Sequence, residues 1–356
     1  MNAKSICHVI TTIERGGAEN QLLILCREQI RLGSSVTVVY LKGRPELLED
    51  FNSLGVKLIR LNSKHFVSQA IELKNLLKCL DLQVIHAHLP RSELLVSLIP
   101  RKVPIVITRH NSEAFFPKGP IWLSKILSKM AIKRSQGRIA ISEGVLSFLI
   151  ESGEASKSTL FYVVPYGYVF KDKPVRQRAI NISTRFLTIA RLVEQKNYPT
   201  VLRALSDLDH EGLEFSAKFA GEGVLVDDLK ALTDKLELQQ HVKWLGKVAD
   251  TDSLYADSDF FILASTYEGF GMVLLESMNW NLPIICSRIP TSVEILGDNY
   301  LGFFDPNNHS SLCETIRFAL RNRNLLIEQM EERKRLFSAE VMADRIGDVY
   351  SAIYLT

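Results

Sequence analysis

The chain has 356 residues, 46% hydrophobic and 23% charged, long enough for two domains with sizeable cores. No run approaches the ~18 uninterrupted apolar residues of a membrane-crossing helix, and the first residues lack an apolar signal region. Five cysteines (Cys7, Cys26, Cys79, Cys286, Cys313) lie scattered without CxxC spacing, which excludes a disulfide or thiolate-metal framework and reads as reduced thiols of a cytoplasmic protein. Net charge is +3, but residues 1–170 carry 22 basic against 13 acidic side chains, a balance of +9, leaving −6 for the rest. The basic half suits an anionic partner (membrane surface, nucleic acid or phosphorylated acceptor), with ordinary surface fluctuation as the alternative.

Residues 5–11 read as a buried strand, 20–31 as a helix ended by Gly33, and 35–40 as a second strand. With the turn at 14–19 they make a βαβ unit and a parallel sheet. That turn holds only Gly16 and Gly17, so it is not the G-x-G-x-x-G dinucleotide fingerprint. A strand at 56–60 and an amphipathic helix at 67–80 follow. Residues 83–88 form a strand that sets His86 and His88 on one face. No carboxylate or Cys cluster stands nearby in sequence, so the pair is expected to face a cleft rather than bind metal.

Strand 104–108 leads to Arg109, His110 and Asn111, the place where open α/β sheets bind ligands. A histidine satisfied within a loop is the alternative. Residues 120–133 are strongly helical, with Leu123, Ile126, Leu127, Met130 and Ala131 expected to face the core. Lys118, Lys125, Lys129 and Lys133 form an opposite stripe around Trp122, as in an interfacial helix or a plain solvated face. Strands at 138–142 and 161–165 end at Glu143 and at Tyr166 and Gly167. The polar, Pro-containing stretch 171–181 reads as an interdomain linker.

The alternation then restarts. Strand 185–190 is followed by Arg191 and Lys196, two cations at a strand's carboxyl end that could hold a diphosphate. Strand 215–220 enters the turn Gly221, Glu222, Gly223, and a short strand and helix occupy 242–246 and 252–256. A buried strand at 259–264 meets Glu268, Gly269, Phe270 and Gly271, with a helix expected from Phe270 or Gly271. The glycines allow close backbone approach, and the free N–H groups of the first helical turn suit a phosphate. Glu268 in the loop and Glu276, about two turns into the helix, are acceptors suited to hydroxyls of a sugar and a ribose. The plainer alternative has Glu268 capping the helix and Glu276 in solvent. A strand at 282–286, a loop at 289–294 and helices at 311–321 and 339–353 complete the expectation.

E-G-F-G followed by Glu276, with seven residues between the two glutamates, resembles the signature of retaining glycosyltransferases of family 4, with the GT-B fold. The resemblance implies two Rossmann-like parallel α/β domains facing a central cleft. Residues 1–170 would form the acceptor-side domain, with the helix from about 339 packed back on it, and 182–338 the nucleotide-sugar domain. It implies that Glu268 and His110 meet the donor sugar, the latter because Thr108-Arg109-His110 resembles the family's Thr-x-His. Glu276 would hold the ribose, and Arg191 and Lys196 the diphosphate. Gly17, in a turn similar to the family's GGAE loop, would border the diphosphate and acceptor. Gly221 and Glu222 would lie beside the base, and Gly269, Phe270 and Gly271 would line the donor loop. Ala190 stands where relatives carry Gly, Tyr166 where they carry Asn, and 289–294 where many show paired glycines.

The implied activity is transfer of a sugar from a nucleotide-diphosphate donor, a UDP-sugar by expectation, to the hydroxyl of a lipid-linked or oligosaccharide acceptor. Surface polysaccharide, O-antigen or glycolipid assembly is the expected setting. No metal or other cofactor and no nucleic acid is implied, and the location is cytoplasmic, peripheral on an anionic inner membrane face. Two other classes stay open: a GT-B sugar-nucleotide epimerase, and a non-catalytic sugar-nucleotide-binding subunit.

Overall fold

The computed structural model describes residues 4–100, 103–116, 119–171 and 183–354. Its chain forms two compact units, Met1–Val169 with Phe337–Thr356, and Phe170–Leu336. The expected linker at 171–181 lies, apart from Lys171, outside the described residues.

In the first unit, β1 (Ser5–Ile10), α1 (Gly17–Arg31), β2 (Ser35–Tyr40), α2 (Leu48–Ser53) and β3 (Lys57–Arg60) come first. They are followed by α3 (Phe66–Lys78), β4 (Val84–His88), α4 (Pro90–Ser97), β5 (Ile105–Arg109) and α5 (Ile121–Arg134). Strand β6 (Gly137–Ala140), α6 (Glu143–Glu151) and β7 (Tyr162–Val163) complete the sheet, whose order is β3-β2-β1-β4-β5-β6-β7. Every pairing is parallel. Strands buried on both faces need near-continuous apolar runs, which is how β1, β2 and β5 read.

The second unit repeats the scheme with β8 (Thr184–Ile189), α7 (Tyr198–His210), β9 (Phe215–Ala220), α8 (Val226–Lys235) and β10 (Val242–Gly246). Helix α9 (Asp252–Ala256), β11 (Phe260–Leu263), α10 (Met272–Asn279), β12 (Ile284–Ser287) and α11 (Pro290–Leu296) follow. Strand β13 (Phe303–Phe304), α12 (His309–Arg321) and α13 (Arg323–Lys334) end this unit. Its parallel sheet runs β10-β9-β8-β11-β12-β13. Both units are Rossmann-like. In each sheet the direction of winding reverses beside the unit's first strand, between β1 and β4 and between β8 and β11, and such reversals open the ligand crevice at the strands' carboxyl ends.

The chain then returns to the first unit as α14 (Ala339–Ala352), its N-terminus capped by Ser338 Oγ accepting from Val341 N at 3.2 Å. Met342, Ala343, Ile346, Val349 and Tyr350 pack with Leu25 of α1 onto Ile6, Val84, Val106 and Ile139 of the sheet.

Three local expectations are corrected. Residues 290–296 form α11 rather than a loop, because Pro290 occupies a first-turn position where its missing N–H costs nothing, and Ser292 Oγ accepts from Ile289 N at 3.1 Å. Helix α10 begins at Met272, so Glu276 lies one turn in rather than two. Helix α5 turns Ser124, Ser128, Ala131 and Ile132 inward, leaving Leu123, Leu127 and Met130 half-buried and Ile126 55% exposed. The reason is polar: Ser128 Oγ accepts from buried Arg109 at 2.9 Å and Ser124 Oγ from Phe116 N at 2.9 Å, and those bonds fix the helix's rotation.

Truncating Ile346, 5% exposed in the α14 seam, leaves a cavity against the first sheet. Ile346→Ala should lower unfolding free energy by about 2–4 kcal/mol, read as an earlier urea midpoint of the first unit's transition.

Candidate active site

In the second unit, β8 and β11 are neighbours, so the loops after them lie side by side. Gln195 ties them together, its carbonyl accepting from Thr266 N at 2.9 Å and its Nε2 donating to the Tyr267 carbonyl at 2.7 Å. Lys196 Nζ pairs with Glu268 Oε1, both side chains about one-tenth exposed (11% and 10%). Ser265, fully buried at the end of the strand, donates to the same Glu268 oxygen at 2.6 Å, and Thr291 Oγ1 donates to the Glu268 carbonyl at 2.9 Å. Glu268 is thus held in position by a cation and a hydroxyl before any ligand arrives. Arg191 stands exposed one loop residue beyond the strand.

The turn at Gly221 and Gly223 has a packing reason. A Cβ on Gly221 would sit 1.9 Å from the Ala190 carbonyl oxygen and one on Gly223 2.2 Å from that of Leu192. The turn lies directly on the Arg191 loop, bonded by Leu192 N to the Glu222 carbonyl at 2.9 Å, while the Glu222 side chain is exposed. Gly271, at φ 85°, turns the chain into α10, behind the half-buried Gly269. The Phe270 side chain is in the core, so only its backbone is available to a ligand. Glu276 is half-buried and accepts from the buried Tyr255 hydroxyl at 2.7 Å. Burial raises its pKa above the usual carboxylate range, against the pull of the Tyr255 bond.

In the first unit, α1 begins at Gly17 with Gly16 as its N-cap, three residues earlier than expected, so the glycine pair is itself the helix start. A Cβ on Gly17 would meet nothing within 4 Å, so packing within the unit does not demand glycine there. Beside this turn four histidines meet. Register pairs His8 with His86 across β1 and β4, and His88 with Thr108 across β4 and β5. His8 Nδ1 lies 2.9 Å from His88 Nε2, His88 Nδ1 lies 3.1 Å from His110 Nε2, and His110 Nδ1 lies 2.7 Å from the Tyr166 hydroxyl. His8 Nε2 bonds Gln29 Oε1 at 2.8 Å, and His86 bonds the Tyr350 hydroxyl and Thr108 Oγ1, each at 2.7 Å.

His86 and His88 therefore do not face a cleft. They are buried, because α14 closes over them with Tyr350. The ligand atoms of His8, His86 and His88 lie within 4.8 Å of one another, yet each ring nitrogen has a hydrogen-bond partner. The 2.9 Å between His8 and His88 is also shorter than the roughly 3.3 Å that separates two nitrogens on one tetrahedral zinc. This is a hydrogen-bond chain. Burial lowers the pKa of His8 to about 4 and of His110 to about 3, and holds His86 and His88 well below the ordinary value. His110 sits where expected, past β5, with both ring nitrogens engaged inside its own unit.

Its neighbour Arg109 points to the other side of the sheet. There it pairs with Glu93 at 2.9 Å and Glu154 at 3.4 Å and stacks on Phe115 at 4.5 Å. Burial pushes the Glu93 carboxyl up to about 7 despite the adjacent guanidinium.

Both halves of the chain are similar to known proteins. The family model described as Glycosyltransferase Family 4 matches residues 15–167, and that of Glycosyl transferases group 1 matches residues 172–337. The chain is a glycosyltransferase. It is 27% identical to an uncharacterized glycosyltransferase of Methanocaldococcus jannaschii over 79% of this chain and 78% of that one. It is 30% identical to an N-acetylgalactosamine-N,N'-diacetylbacillosaminyl-diphospho-undecaprenol 4-alpha-N-acetylgalactosaminyltransferase of Campylobacter jejuni, over 39% of this chain and 38% of that one. The fold is GT-B: the crystal structure of Anabaena HepE in complex with UDP and glucose superposes with a TM-score of 0.79, at 17% identity over 98% of this chain and 100% of that one.

Reading the glycosyltransferase's sequence brought out Arg191, Lys196, Glu268 and Glu276 but missed the groups that hold them. Ser265 carried a usable signal, a serine closing an apolar strand beside the glutamate loop. Tyr255, Thr291, Gln195, His8 and Gln29 carried none, since each acts across a distance set by the fold.

The four neutral histidines make the first unit acid-sensitive. The unfolded chain takes up protons as pH falls through about 6.5, whereas folded His8 resists to about 4. Stability is therefore complete above about 6.5 and is lost as pH falls from there through the folded values. The melting temperature should drop steeply from pH 6.5 to 5, and a flat profile over that interval would contradict the buried neutral chain.

Proposed function

We propose that this glycosyltransferase is a retaining enzyme that moves a sugar from a nucleotide-diphosphate donor, a UDP-sugar by preference, to a hydroxyl of a lipid-linked or oligosaccharide acceptor. The Lys196–Glu268–Ser265 constellation at the β8/β11 reversal carries the reading. A carboxylate whose oxygen is already engaged by an ammonium and a hydroxyl is suited to orienting sugar hydroxyls rather than to covalent attack. Departure of the diphosphate on the face the acceptor enters fits that arrangement. Arg191, Lys196 and the N–H groups opening α10 would take up the charge of the leaving diphosphate, and a metal is not required for it. Glu276, aligned by Tyr255, would hold the ribose, the Gly221–Glu222 turn would border the base, and Gly17 would allow the acceptor or diphosphate close approach. His110 would meet the donor sugar. The UDP bound by HepE and the lipid-linked substrate named for the Campylobacter relative suit this donor and acceptor class, in surface polysaccharide, O-antigen or glycolipid assembly.

A panel of nucleotide sugars incubated with membrane lipid extracts, read by mass spectrometry, tests the activity. The expected result is a glycosylated lipid or oligosaccharide whose new linkage keeps the donor's anomeric configuration, formed equally with and without EDTA. Free nucleotide with an altered sugar and no acceptor product would overturn it. Arg191→Ala should reduce turnover by roughly 10²–10³, the loss expected for one charge-stabilising donor, with an unchanged melting temperature because the side chain is exposed. Lys196→Ala is the less clean probe, since it also strands Glu268 in a mostly buried position.

We also propose that α5 docks the first unit on the cytoplasmic face of an anionic membrane. Ile121 and Trp122, 70% and 63% exposed, and exposed Ile126 share its surface with Lys125, Lys129 and Lys133. Lys118 lies outside the described residues. No described helix is long and apolar enough to cross a membrane. Each lysine near an anionic surface is worth about 1 kcal/mol, so replacing all three by Gln should weaken binding to anionic vesicles by roughly 10²-fold. Sedimentation with anionic and neutral vesicles at low and high salt would read this, and equal binding by both proteins would remove α5 as the anchor.

A further inference from the structure

Hydrogen bonds between neutral imidazoles have a direction, because one ring nitrogen must donate and the other accept. Gln29 sets that direction here. Its Nε2 donates to the Tyr350 hydroxyl at 3.3 Å, so its Oε1 faces His8 Nε2 as an acceptor. His8 then carries its proton on Nε2 and accepts through Nδ1 from His88 Nε2–H. His88 accepts through Nδ1 from His110 Nε2–H, and His110 accepts through Nδ1 from the Tyr166 hydroxyl. On the second branch the Tyr350 hydroxyl, already accepting from Gln29, can donate to His86 Nδ1, which lets His86 Nε2–H donate to Thr108 Oγ1.

We propose that Gln29, His8, His88 and Tyr166 are positioning residues that lock His110 as the neutral Nε2–H tautomer, through one chain of hydrogen bonds whose direction Gln29 fixes. The members cannot choose independently, since a wrong tautomer at any link sets two N–H groups or two lone pairs against each other in a buried site, where an unmet polar group is costly. Low dielectric keeps the rings uncharged, in accord with their lowered pKa values. The consequence deepens the proposed transferase reading and rests on it only for the sugar contact. The 3.1 Å bond to His88 is longer than the 2.7 Å bond to Tyr166, and His110 Nε2–H can share it with a sugar oxygen as a three-centre bond that leaves the chain intact. His110 then meets the donor sugar as a neutral N–H donor, neither a cation nor a base. Tyr166 is what keeps Nδ1 occupied.

Multiple-bond ¹H–¹⁵N correlation on the ¹⁵N-histidine-labelled full chain tests the lock without any assay of activity. The wild type should show His8, His86, His88 and His110 protonated at Nε2 alone. A His110 proton on Nδ1, or a mixture of tautomers at any of the four, overturns the proposal. Gln29→Leu separates direction from packing. It removes the acceptor that His8 Nε2–H meets, so His8, His88 and His110 should each show a mixture of Nε2 and Nδ1 protonation. Tautomers unchanged from the wild type in a folded Gln29→Leu variant refute the role of Gln29, and should that variant not fold, the wild-type spectrum decides by itself. Tyr166→Phe should lower kcat by up to about 10²-fold with KM for the nucleotide sugar nearly kept. A wild type without transferase activity would defeat the proposed function and leave the tautomer result standing. Unaltered kcat in an active, folded Tyr166→Phe protein would defeat the positioning role alone.

Discussion

A parallel strand covered by helices on both faces leaves its backbone no surface of its own, so free polar groups gather where strands end. The polar clusters at the strand ends of this glycosyltransferase follow from that constraint and from which strands are neighbours. Because β11 pairs with β8, Lys196 meets Glu268 although 72 residues separate them. Because β4 pairs with β1, His8 meets His88 across 80 residues. The G-x-G turn after β9 serves the same edge from the side, its glycines letting one loop lie on the backbone of the next.

The first unit buries an unusual amount of polar chemistry beside β5, in two different ways. Thr108 and His110 turn toward α14, where the histidines stay neutral and every ring nitrogen has a partner. Arg109, between them in sequence, turns toward α4 and α5. A guanidinium cannot shed its proton, so this side requires carboxylates, and Glu93 and Glu154 supply them. Alternation along one strand thus separates a neutral network from a charged one, and the charged one rotates α5 so that Trp122 and Ile126 face outward.

The second unit gathers Lys196, Glu268 and Arg191 at one edge of its sheet. Lys196 and Glu268 satisfy each other, so neither charge is stranded at 11% and 10% exposure. A ligand that offers the lysine a phosphate and the glutamate a hydroxyl replaces one good partner with another at each group. Arg191 remains exposed on the same loop. That contrast makes the arginine the more accessible of the two cations and the lysine the better positioned.

The amino-acid sequence by itself determined the parallel α/β architecture, because apolar strands alternating with amphipathic helices leave few other ways to bury both faces. It also marked the cation loop at 191–196 and the glutamate loop at 268–271 of the second unit, each a short stretch of chain, the latter punctuated by Gly269 and Gly271. It did not determine which face of α5 is buried, since the serines that point inward do so to meet Arg109, a partner invisible to periodicity. Nor did it determine that His86 and His88 are enclosed, because the helix that covers them is α14, which crosses back after the whole second unit has been built. The helix at Pro290–Leu296 was missed because proline reads as a breaker until its place at a helix start is known. Contacts made within a few residues were legible, whereas those made by strand order and by a returning helix existed only once the chain had folded.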